Sequence, residues 1–212
     1  MIFLAGGGDI EDSKQIDEIF FKYISENDKI LYIPTALDSS QYEEAFIWFQ
    51  SLVKNYQPNI RINMLTESLV YPNLNEYKAI YIGGGNTYKL LQFLCEHKLD
   101  EKLKLYEKEG GIIYGGSAGA IILGKTIKTV KEEKEFYPDN EALNLVTPYT
   151  VRCHYISQEE ELFSDISKKL NSPLLALPEN SGVIIEGEKF QTIGNVFIFK
   201  KGIKSVLNLN SI

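Results

Sequence analysis

Histidine and cysteine are scarce in this chain: 212 residues hold two of each, His97 and His154, Cys95 and Cys153. Two cysteines cannot frame a disulfide-stapled fold, and no CxxC spacing is there to hold zinc, so a reduced compartment is expected. Any chemistry that needs an imidazole must use one of two side chains. Positive charge is short as well. Twenty-two lysines and arginines against 29 aspartates and glutamates leave a net charge of −7 and a pI near 5.0. That balance repels phosphate backbones and anionic lipid, so neither nucleic acid nor a membrane is an expected partner. Long apolar runs are missing. The longest uncharged stretch, Gly110 to Gly124, falls short of the ~20 residues a membrane span needs and carries five glycines after its first residue. The opening Met1-Ile2-Phe3-Leu4-Ala5-Gly6 has no basic leader and too short an apolar run for a signal peptide, so a cytoplasmic protein is expected.

What is present is globular. Hydrophobic residues make up 44% and charged residues 24% of a chain whose length suits one domain, 1–212, able to bury roughly 70% of its unfolded surface. Short β-rich runs alternate with segments of helical period through the first two thirds, which predicts βαβ units around a mostly parallel sheet with helices on both faces. Ile2 to Ala5 is the first strand, and Asp12 or Ser13 is the expected cap of a helix burying Ile16, Ile19, Phe20, Tyr23 and Ile24. Lys29 to Ile33 is a strand closed by Pro34. Residues 40–56 read as helix with Ala45, Trp48, Phe49, Leu52 and Val53 inward, and Ile60 to Leu65 as strand. The last third differs: after a helix near Gln158 to Leu170, short runs beginning at Leu174, Val183, Phe190, Val196 and Ser205 read as strands and hairpins.

Two strands run straight into glycine turns that open helices. Ala79 to Ile82 meets Gly83-Gly84-Gly85-Asn86-Thr87, and Ile112 to Tyr114 meets Gly115-Gly116-Ser117-Ala118-Gly119. In open parallel sheets ligands bind beyond the carboxyl ends of the strands, so both turns can face one crevice. Gly115-x-Ser117-x-Gly119 has the spacing of a nucleophile elbow, a tight strand-to-helix turn that holds a serine hydroxyl outward among small neighbours. The competing reading is a glycine-rich turn with an ordinary capping serine.

A serine hydroxyl needs a base, usually a histidine held in one tautomer by a carboxylate. His97 sits in the charged helical end Glu96-His97-Lys98 and reads as a surface residue. His154 lies in Tyr149 to Tyr155, which reads as a strand leading into the helix near Ser157, 37 residues after Ser117, and is the remaining candidate. Glu132, Glu133, Glu135, Asp139 and Glu141 lie between them; as a charge run they read as a solvated loop from which one carboxylate can orient His154. An α/β-hydrolase also runs serine, acid, histidine, but its acid and histidine follow later strands, which fits 37 residues poorly. Arg152 lies two positions before His154, and since alternate residues on a strand share a face it offers a guanidinium for a substrate carboxylate or for a salt bridge to the acidic run.

These features together resemble the peptidase E and cyanophycinase family of serine peptidases, whose fold is related to the class I glutamine amidotransferases. The likeness rests on Gly84-Gly85-Asn86-Thr87 followed by an aromatic residue and Leu90-Leu91, on Gly116-Ser117-Ala118-Gly119, on His154-Tyr155, and on the opening Leu4-x-Gly6-Gly7-Gly8. It implies that Ser117 is the nucleophile and His154 the base, that the N–H groups of Gly85 and Ala118 form an oxyanion hole, and that Asn86 lies near substrate. For the acid it implies Glu132 by ungapped spacing from the serine, or Glu135 by likeness to the cyanophycinases. The resulting expectation is a metal-free, cofactor-free serine peptidase acting on short peptides or an aspartyl-linked peptide through an acyl-enzyme. A catalytically silent protein binding a small ligand on its glycine turns is the alternative, and neither turn has Walker or GxGxxG spacing. A glutaminase is disfavoured because no cysteine occupies the elbow.

Overall fold

The computed structural model describes residues 1–67, 72–129 and 141–207. Its first half alternates strand and helix: β1 (Ile2–Ala5), α1 (Ile10–Phe21), β2 (Lys29–Ile33), α2 (Tyr42–Lys54), β3 (Arg61–Met64), β4 (Ala79–Ile82), α3 (Thr87–Glu96), α4 (Leu99–Lys108), β5 (Ile112–Gly116) and the short α5 (Ala118–Leu123). After residues 130–140, which lie outside the described residues, come β6 (Thr150–Cys153), α6 (Glu160–Lys169), β7 (Leu174–Leu177), β8 (Gly182–Glu186), β9 (Lys189–Ile193), β10 (Val196–Lys200) and β11 (Ile203–Leu207).

One sheet has the order β3-β2-β4-β5-β1-β8-β9. The first five of these strands pair in parallel and the last two add on antiparallel. Side chains alternate across it, as the period of two requires. Ile2, Leu4, Leu31, Ile33, Ile80 and Ile82 pack with α3, α4 and α5 on one face. Phe3, Ile30, Tyr32, Tyr81 and Tyr114 pack with Ile16 and Phe20 of α1 and Phe49, Leu52 and Val53 of α2 on the other. Both faces are covered, which is why these strands read as continuous apolar runs. The expected architecture, a mostly parallel sheet with helices on both faces and added carboxyl-terminal strands, is the one observed.

A second sheet has the order β11-β10-β7-β6, with β6 and β7 parallel. Its Val151, Leu175, Leu177 and Val196 join the cluster around α5, while Leu174, Ala176 and Phe199 bury Phe163 of α6 and Tyr155 on its far side. The short helix after Ser117 is therefore packed against both β5 and β6.

Two local expectations are corrected. Asp9, rather than Asp12 or Ser13, caps α1: its carboxylate accepts from the N–H groups of Glu11 and Asp12, and Asp12 reciprocates by accepting from the Asp9 N–H in a capping box. Trp48 is 37% exposed instead of inward, because it stands at the rim of a cleft beside Ser117. No helix among the described residues is long and apolar enough to cross a membrane.

Candidate active site

Three strands of two sheets end together. Ser117 follows β5, His154 follows β6, and Glu179 stands two residues beyond β7. The backbone at Ser117, φ 51° and ψ −112°, lies in a region that a non-glycine residue enters only under strain, of order 1–3 kcal/mol. That strain is held by packing: the Ser117 N–H donates to Ala5 O, and its carbonyl accepts from Ile121 N–H to start α5. Gly119 allows the sharp turn, since a Cβ there would stand 2.2 Å from Ile82 O. The spacing that marked an elbow in the sequence is thus a close approach of helix to strand.

His154 also has a positive φ, 55°, and its N–H donates to Gly6 O. The turn leaving β1 seats its imidazole. Gly7, at φ 102°, would place a Cβ 2.4 Å from His154 Cε1 and 2.8 Å from Nε2, so only glycine leaves room for the ring. From there His154 Nε2 is 2.6 Å from Ser117 Oγ, and Nδ1 is 2.8 Å from Glu179 Oε1. A carboxylate only accepts, so Nδ1 carries the hydrogen and the Nε2 lone pair receives the Ser117 hydroxyl proton. The imidazole and the Glu179 side chain are each about half exposed, open to substrate and water.

The parallel register of β6 and β7 explains the Glu179 contact. Cys153 pairs with Leu177, and the Tyr155 N–H donates to Leu177 O, so the residues just past each strand lie side by side. Sequence reasoning missed Glu179; the available signal was an acid immediately after a strand, in Leu177-Pro178-Glu179. Glu132, Glu133, Glu135 and Asp139 lie outside the described residues. Glu141 bridges by its backbone to Thr126, and the carboxylate that meets His154 is Glu179.

The glycine turn after β4 lies against the serine. A Cβ on Gly84 would stand 3.1 Å from Ser117 Cβ. Gly85 and Asn86 are exposed next to it. The Ala118 N–H opens α5, where first-turn donors have no intrahelical acceptor. Asn86 caps α3, its Oδ1 accepting from the Lys89 N–H at 2.8 Å. Arg152 points elsewhere. β6 stops at Cys153 and the left-handed turn at His154 breaks the alternation, so the guanidinium donates to Thr129 O and lies 6.0 Å over the Phe163 ring. His97 caps α3, its Nδ1 2.8 Å from Phe93 O and its ring half-buried, which gives it a structural place. Cys153 is buried beside the site, and desolvation pushes its thiol up to about 12.

A cleft of about 160 Å³ opens beside Ser117 and His154, walled by Trp48, Tyr32, Tyr81, Tyr114 and Ser13. A larger cavity of about 720 Å³, around Met1, Tyr106 and Gly111, lies at the opposite ends of β1 and β5 and holds none of the expected site residues. The smaller one is the candidate site, because the Ser117, His154 and Glu179 contacts lie at it.

Comparison with known proteins bears on this site. Residues 1–193 match the sequence model of peptidase family S51. Peptidase E of Actinobacillus pleuropneumoniae serotype 5b (strain L20) is 27% identical over 180 residues, 78% of this chain and 75% of that protein. The Drosophila melanogaster protein named "Probable alpha-aspartyl dipeptidase" is 33% identical over 141 residues, 60% of this chain and 58% of that one. The crystal structure of a peptidase from an acI-B1 Actinobacterium superposes with a TM-score of 0.75 at 17% identity, covering 99% of this chain and 94% of the other, and shares the fold.

Proposed function

Because the chain belongs to peptidase family S51, and is by that membership a serine peptidase, we propose that it hydrolyses dipeptides and other short peptides, those with an amino-terminal aspartyl residue included, with Ser117, His154 and Glu179 as its catalytic triad. The observation that carries this reading is the unbroken relay from Glu179 Oε1 through the imidazole to Ser117 Oγ, 2.8 Å and 2.6 Å long. Activity on aspartyl dipeptides is supported by the name of the Drosophila relative.

In this reading Ser117 Oγ attacks the scissile carbonyl carbon while His154 Nε2 takes its proton. Glu179 keeps the imidazole in the required tautomer and stabilises the imidazolium that forms. The carbonyl oxygen becomes an oxyanion, for which the Ala118 and Gly85 N–H groups are the proposed donors, each worth about 3 kcal/mol in the transition state. The imidazolium then gives its proton to the leaving amine. Water, deprotonated by the same nitrogen, attacks the acyl-enzyme and releases the acid. Asn86, whose Oδ1 is held by the helix cap, is left with its amide hydrogens for substrate, and Arg152 would have to leave Thr129 to reach one.

The test is covalent labelling. A fluorophosphonate should modify Ser117 in the wild-type protein and leave Ser117→Ala unmodified, and aspartyl dipeptides should be cleaved by the first protein alone. Labelling that persists in Ser117→Ala would rule the assignment out.

A further inference from the structure

The cleft beside Ser117 is floored by a row of tyrosines. Tyr32, Tyr81 and Tyr114 are register partners on β2, β4 and β5 and so share one face of the sheet. Their rings stand 6.0 Å and 4.4 Å apart, centroid to centroid. The hydroxyls reach the carboxyl ends of the strands. A Cβ at Gly116 would be 3.8 Å from the Tyr81 hydroxyl, and one at Gly83 would be 3.2 Å from that of Tyr32.

Behind this row lies a buried acid. Asp17, on the inward face of α1, is fully buried, and its two oxygens accept from the Tyr114 hydroxyl at 2.6 Å and the Ser13 hydroxyl at 2.7 Å. Neither lysine, arginine nor histidine lies among the groups that perturb it. Burying an ionised carboxylate without a cation costs several kcal/mol, and hydroxyl donors offset only part of that.

Hydrogen accounting sets the polarity of the cleft. A hydroxyl has one hydrogen: that of Tyr114 goes to Asp17 at 2.6 Å, and that of Ser13 has Asp17 at 2.7 Å as its nearer acceptor, with Asp9 O at 3.2 Å. With both hydrogens drawn inward, Ser13, half-buried at the cleft wall, keeps its lone pairs for the cleft. Among the described residues no lysine or arginine lines it, and Trp48 adds an aromatic face, which also attracts cations. A carboxylate would meet lone pairs in front of a buried negative charge. An ammonium group would meet acceptors.

We propose that this cleft receives the substrate's free α-ammonium group, and that Asp17 is the positioning residue that makes it selective by holding the Ser13 hydrogen inward, so that the Ser13 oxygen faces the cleft as an acceptor in front of a buried negative charge. The inference rests on Ser117 being the nucleophile and adds which end of the peptide lies where. An aspartyl side chain would then have to bind outside this cleft. Asp17→Asn keeps the shape but removes the buried charge, and because the amide nitrogen donates, one of the two hydroxyls loses its acceptor there.

The test compares labelling of Ser117 by an α-aminoalkyl phosphonate ester and by its N-acetyl form, which needs no knowledge of the natural substrate. The wild-type protein should react with the free amine at least about ten times faster, and the ratio should fall toward one in Asp17→Asn. Ser13→Ala, at a half-buried position less exposed to folding failure, should also lower it. A fluorophosphonate without an amine should label all three proteins alike, which separates lost recognition from a damaged nucleophile. Equal rates with the two esters in the wild type, or a ratio unchanged in both variants, would overturn the proposal while leaving the peptidase reading intact. Failure of every phosphonate to label Ser117 would overturn both.

Discussion

Glu179 Oε1 lies 2.8 Å from His154 Nδ1 although the two residues are 25 positions apart and belong to turns after different strands. Because a carboxylate accepts only, this contact selects the tautomer in which Nε2 can act as a base, and a carboxamide would select it less well. Glu179→Gln is accordingly expected to lower kcat by about 10³- to 10⁴-fold with little change in KM, whereas Glu132→Gln should stay near wild type. Steady-state kinetics on an aspartyl dipeptide decide it. A large loss in Glu132→Gln and a small one in Glu179→Gln would return the role to the segment between Ser117 and His154.

The turn at Ser117 and its histidine partner were legible in the sequence because both signals are local. Gly115-x-Ser117-x-Gly119 announces its own turn, and with two histidines the choice of His154 was short work. Glu179 was not legible, since its role depends on the register of β6 with β7, a non-local pairing that no spacing from the serine encodes. The same holds for the strands of the last third. β8 and β9 extend the main sheet while β7 and β10 build the second, yet their short apolar runs carry no mark of which sheet they join. The shared face assumed for Arg152 and His154 failed on one backbone angle, the positive φ of His154, which ends the alternation one residue early. Asp17 was hidden for a related reason. An acid at helical spacing among apolar residues reads as a rim position until the partners that bury it, Tyr114 from the sheet and Ser13 one turn back, are seen.

Cys153 neighbours the base yet is expected to be chemically silent. Its thiol is 3% exposed, makes weak contacts with the carbonyls of Ala5 and Ser117, and is pushed up to about 12 by burial, so almost no thiolate exists near neutrality. Cys95 is half-buried. Under native conditions a thiol reagent such as iodoacetamide should modify Cys95 first and leave peptidase activity intact, with Cys153 reacting only after denaturation. Peptide mass mapping and activity on the same sample test this. Rapid alkylation of Cys153 in step with inactivation would show that the wall behind Ser117 opens.

Asp17 makes a pH dependence of stability that can be isolated. Burial raises its pKa from 3.8 to about 6, with the Tyr114 and Ser13 hydroxyls pulling the other way. The folded protein therefore holds the Asp17 proton more tightly than the unfolded chain does. The stabilisation this gives is fully present below the unfolded pKa near 4 and is lost as pH rises through about 6, above which it no longer changes. Two pKa units correspond to about 3 kcal/mol. Other carboxylates titrate in the same range, so the readout is the difference between wild type and Asp17→Asn in urea unfolding at pH 4, 5, 6 and 7. The wild type should lose about 3 kcal/mol relative to the variant between pH 4 and 7, with most of the change complete by pH 6. A difference that stays flat would mean that Asp17 binds its proton equally well folded and unfolded; one that grows in favour of the wild type as pH rises would mean that Asp17 is stabilised as an anion by a cation, and the cleft in front of it would then lose its reason to attract an ammonium group.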